Sequence, residues 1–157
     1  ISIVILRMNN TKQKLHNITF TLGDPSGDGH GHYVVFHMES NYSVKDITDA
    51  YNKATEILGF DFIKTCCVDY QDFYIKPIYA SILVNHGILN KISLEDTDFY
   101  SVSKGSYCVD SGVEEYINIF IKIIKLVLKD FTLEYRDLQE DSLSILDFAA
   151  YGLTEYA

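Results

Sequence analysis

Two short runs in this chain keep a strict period of two. Ile18, Phe20 and Leu22 alternate with Thr19 and Thr21, and Val34, Phe36 and Met38 alternate with Tyr33, Val35, His37 and Glu39. Successive side chains of an extended strand point to opposite faces, so each run reads as a half-buried strand. The first run stops at Gly23 and the second begins at Tyr33, which predicts an antiparallel pair connected through residues 24–32. A sheet with an apolar face needs a covering layer, and the residues that follow supply one.

Ser43 is an N-cap residue with Asp46 placed to complete a capping box, and Val44, Ile47, Tyr51, Ala54 and Leu58 recur at helical spacing. Gly59 offers the left-handed stop, so a helix is predicted over 43–58. Phe60–Val68 reads as a third strand, and Phe73–Ile75 extends the sheet after a turn at Asp69–Asp72. Pro77 opens a second helix that runs through Leu83 and ends at Gly87. Ser93–Phe99 reads as a helical turn or loop, and Tyr107–Gly112 carries no strong signal. Val113–Leu128, with Ser111 as its cap, is apolar on nearly all faces and is expected to be the central buried helix. Ser142 caps a last amphipathic segment containing Leu143, Ile145, Leu146, Phe148 and Ala149.

The expected fold is therefore α+β: an antiparallel sheet of three or more strands built early in the chain, packed by the 43–58 helix and by a largely helical C-terminal half. With 157 residues, no internal repeat and no Pro- or Ser-rich linker, the chain reads as one domain over 1–157. Residues 1–8 are read as a leader outside the fold, with Met8 a candidate start. The apolar opening Ile1–Leu6 is too short for a signal peptide, and Lys122 and Lys125 interrupt the most apolar stretch, so no membrane segment is expected.

Charge narrows the function classes. The chain has 22 Asp and Glu against 13 Lys and Arg, for a formal net charge of −9, and its arginines are Arg7 and Arg136 alone. Duplex binding draws affinity from cationic side chains that neutralise phosphates, so direct nucleic-acid binding is disfavoured, as is an anionic membrane. A partner with a basic surface fits this charge, and so does simple solubility. Cys66, Cys67 and Cys108 form neither an even set nor a C-x-x-C motif; they are expected to be buried free thiols in a reducing cytoplasm.

Polar chemistry concentrates in the loop Gly23-Asp24-Pro25-Ser26-Gly27-Asp28-Gly29-His30-Gly31-His32, which holds four of the 9 glycines and two of the 5 histidines. Glycines let backbone amides turn toward a ligand, and Asp24, Ser26, Asp28, Gly29, His30 and His32 make the candidate ligand-binding set. Asp24, Ser26 and Asp28 match the opening of a calcium loop, but Val35 stands where the bidentate Glu belongs. A divalent transition metal has better donors in Asp24, Asp28, His30 and His32, with His37 from the next strand. Such a metal would activate water for phosphodiester-type hydrolysis, with Glu39, Asp69 or Asp72 as supporting carboxylates. No phosphate-loop motif is present, although the carboxylates suit the hydroxyl and amino groups of a nucleotide-type ligand. The same loop also has a purely structural reading, in which the aspartates form Asx-turns and the glycines let the chain reverse.

Elsewhere the signals are weaker. Cys66 and Cys67 are followed by aspartates, an environment opposed to a reactive thiolate, and no serine sits in a nucleophile elbow. His16 and His86 are read as surface or helix-capping residues. Glu134, Asp137, Glu140 and Asp141, with Asp147, recur at helical spacing and form a candidate acidic interface. The expected function is a small acidic binding or inhibitor protein of a kind that phages and other mobile elements carry. It would act on a basic protein surface or a nucleotide-like ligand, with homo-oligomers left open. A metal-dependent hydrolase centred on the loop is the alternative, and an accessory structural subunit the third.

Overall fold

The computed structural model describes residues 15–23, 33–69, 72–96, 99–103, 105–110, 112–135 and 152–156. The two period-two runs form β1 (His16–Gly23) and β2 (Tyr33–Ser40), paired antiparallel from His16 opposite Ser40 to Gly23 opposite Tyr33. β7 (Leu133–Tyr135) borders β2 and β8 (Gly152–Tyr156) borders β1, giving a four-stranded antiparallel sheet in the order β7-β2-β1-β8. Ile18, Phe20 and Met38 are buried on its core face. Thr19 and Thr21, on the opposite face of β1, are also only 4% and 3% exposed, so the strand is shielded on both sides.

α1 (Val44–Leu58) has the ends that its sequence predicts. Ser43 Oγ accepts a hydrogen bond from the Asp46 amide at 3.1 Å, and Gly59, at φ +83°, donates its amide to the Thr55 carbonyl at 2.8 Å. Ile47, Ala50, Tyr51, Ala54 and Leu58 form its buried stripe. The strand expected over 60–68 is divided in two. Residues Phe62–Thr65 form a one-turn helix, α2, and the extended part is confined to β3 (Cys67–Asp69). Asp61 explains the difference, because its carboxylate caps α2 through the Lys64 amide at 3.2 Å. Tyr51 Oη donates to the same carboxylate oxygen at 2.5 Å and accepts from the Ile63 amide at 2.8 Å, which ties α2 to α1. Burial, with Asp61 beside it, raises the Tyr51 phenol's pKa and keeps it in the donating form.

β4 (Asp72–Ile75) belongs to a second sheet rather than extending the first. After α3 (Pro77–Asn85) and a 3₁₀ turn (Ser93–Glu95), the chain makes a hairpin of β5 (Phe99–Ser103) and β6 (Ser106–Val109). The second sheet is antiparallel, in the order β3-β4-β6-β5. The largely helical C-terminal half is thus corrected, since β5, β6, β7 and β8 all lie there and one helix, α4 (Val113–Lys125), is described among them. Period-two reasoning missed the β5–β6 hairpin because its strands are short and Ser-rich. Its legible signal was Gly105, at φ +81°, beside the pair of Ser103 with Ser106. The segment around Leu143–Ala149, expected to be helical, lies outside the described residues.

α4 is the central buried helix, capped by Gly112 rather than Ser111 and ending at Lys125 rather than Leu128. Tyr116, Ile117, Ile119, Phe120, Ile123 and Ile124 are at most 1% exposed, while Glu114, Asn118, Lys122 and Lys125 mark its exposed stripe. Phe120 meets Phe20 of β1 edge-on at 4.9 Å and stacks on Tyr51 of α1 at 5.9 Å. One turn earlier, Tyr116 meets Phe62 of α2 at 4.6 Å and Phe73 of β4 at 5.7 Å. The helix therefore joins both sheets into one hydrophobic cluster.

Gly112 must be small for this junction to close. A Cβ there would sit 2.8 Å from the Val109 carbonyl oxygen and closer still to the buried Val109 side chain. Gly112→Ala is expected to lower stability by about 1–3 kcal/mol through overpacking. Urea denaturation checks this, and an unchanged midpoint would show that β6 and α4 can separate freely. No described helix is long and apolar enough to cross a membrane.

Candidate functional site

The loop bearing Asp24, Ser26, Asp28, Gly29, His30 and His32 lies outside the described residues, but its anchors are within them. Gly23 and Tyr33 form the last rung of the β1–β2 ladder, which holds the two ends of the loop roughly 5 Å apart. His37 is four residues further along β2, about 13 Å from Tyr33 at the rise of a strand, and pairs with Thr19. Its Nδ1 is shut away from solvent, and burial pulls its pKa below the ordinary imidazole value. Glu39 is further still, opposite Asn17 and Glu134, while Asp72 belongs to the second sheet, opposite Asp69. Among the described residues no three His, Cys, Asp or Glu side chains are grouped to hold a metal ion.

A neutral His37 has a consequence for pH dependence. Its folded pKa lies below the ordinary imidazole value of 6.5, so the unfolded chain takes up this proton first as the pH falls. The contribution is fully present above that value and is lost as the pH drops from it through the folded pKa. His37→Gln is expected to flatten the stability profile just below pH 6.5, read from urea midpoints across that window. An unaltered slope would remove His37 as its source.

The acidic ridge does not start as a helix. Glu134 lies in β7, where strand pairing sets it opposite Glu39, and Asp137, Glu140 and Asp141 lie outside the described residues. Asn41 and Tyr42 place that strand. Asn41 Nδ2 donates to the Asp130 carbonyl at 2.7 Å, its Oδ1 accepts the Thr132 amide at 2.9 Å, and Tyr42 Oη donates to Asp130 Oδ1 at 2.5 Å.

The three cysteines have different surroundings. Cys66 is buried, and desolvation pushes its thiol pKa up to about 12, whereas Cys67 is exposed and Cys108 half-buried. The expectation that all three are buried fails because β3 alternates, with Val68 packed toward the core and Cys67 on the other face. Cys67 is expected to react with a thiol reagent in the native protein, while Cys66 reacts only on unfolding. Mass mapping of the labelled peptides checks the order, and equal labelling of the two would contradict it. His86 caps α3, with Nδ1 at 3.0 Å from the Ile82 carbonyl, in keeping with a helix-end role.

A different acidic site comes together at the start of α4. The 3₁₀ turn leads into Asp96, whose carbonyl accepts the Phe99 amide at 3.0 Å and directs the chain into β5. Asp110 follows the end of β6, and Glu114 and Glu115 occupy the first turn of α4, where carboxylates favour the positive end of the helix dipole. These four acidic residues are among those that line a cleft of about 360 Å³. Phe99 and Val109, both buried, give it apolar lining, and Ser93 and Asn118 add neutral polar groups. A cleft of this kind suits a group that carries positive charge on an apolar stem, such as an arginine or lysine side chain.

Sequence reasoning missed this cluster because Asp96 is separated from Asp110, Glu114 and Glu115 by the β5–β6 hairpin, which the sequence pattern did not reveal. The Glu114-Glu115 pair opening an apolar run was its one local sign. No family of known proteins, no curated protein and no solved structure matches this chain.

Proposed function

We propose that this protein is a non-enzymatic acidic binding protein whose partner presents a basic surface. The observation that carries this reading is the cleft lined by Asp96, Asp110, Glu114 and Glu115 together with Phe99 and Val109. The formal net charge of −9 supports it, since long-range attraction would orient a basic partner before contact. The probe is a short polyarginine peptide titrated into the labelled protein and followed by NMR. Amide shifts are expected at Phe99, Gly112 and Asn118, with affinity falling as salt rises. The combined substitution Asp110→Asn, Glu114→Gln and Glu115→Gln is expected to weaken binding about tenfold. Shifts scattered over the whole surface, with affinity unchanged in the variant, would overturn the reading.

The Gly-rich loop is a second candidate contact, for a nucleotide-type ligand or a divalent metal. What supports it is the density of Asp24, Asp28, His30 and His32 on a connection whose ends are held together by the Gly23–Tyr33 rung. On the metal reading, elemental analysis finds a divalent ion that is lost in His30→Ala/His32→Ala, along with any phosphodiesterase turnover. Metal-free protein with the same thermal midpoint in chelator would end that reading.

A further inference from the structure

We draw no further inference here: the strongest candidate, the row of Cys67, Tyr74 and Cys108 across one face of the second sheet, carries nothing, because β4 lies between the two thiol-bearing strands and nothing in the structure shows what covers that face.

Discussion

Phe120→Ala is expected to cost about 3–5 kcal/mol, the range for truncating a buried aromatic, which approaches the whole stability of many domains. Phe120 is 0% exposed, and its ring touches Phe20 of the first sheet and Tyr51 of α1. Removing it opens a cavity at the point where three elements meet, and α4 cannot settle toward one neighbour without leaving another. Phe120→Leu keeps most of the volume and is expected to lose much less. Urea denaturation of both variants gives the comparison. A loss below about 1 kcal/mol in the alanine variant would mean that the sheet and α1 are held together elsewhere.

Asp61→Ala is the second large effect, and its cause is polar. The carboxylate caps α2 through Lys64 and accepts the Tyr51 hydroxyl, while Tyr51 itself accepts the Ile63 amide. Losing the cap costs about 1 kcal/mol, and leaving the largely buried hydroxyl without its acceptor adds about 1–3 kcal/mol. Tyr51→Phe breaks the same network from the other side, so the two losses should not add in the double variant. A double-mutant cycle reads the coupling directly. Full additivity would show that the Tyr51–Asp61 contact contributes nothing of its own.

The legible parts of the fold were those whose signal is local. The β1–β2 pair could be read because Ile18, Phe20 and Met38 keep one face over several residues, so a slip of one position would expose them all. α1 could be read because the Ser43 cap, the apolar stripe and Gly59 agree about the same helix. The division of 60–68 was less visible, since Phe62 and Ile63 suit a strand as well as a helix. Asp61, acting with Tyr51 from another element, decides it. β7 and β8 were hidden for a related reason. Short segments such as Leu133–Tyr135 and Gly152–Tyr156 become strands by pairing with β2 and β1, not through any pattern of their own.

The candidate sites divide in the same way. The loop at 24–32 stands out in the sequence because its glycines, aspartates and histidines are consecutive. The acidic cleft does not, because the β5–β6 hairpin separates Asp96 from Asp110, Glu114 and Glu115 in the chain, and only its folding brings them to one cleft.

By itself the sequence determined the acidic charge, the α+β class, the β1–β2 pair, α1 and the burial of α4, all of which follow from composition or from periodicity within one segment. Only the tertiary structure decided the second sheet, the short strands at the sheet edges and the cleft at the head of α4. Those features depend on contacts between residues far apart in the chain, and the free energy of such contacts is written in no single stretch of it.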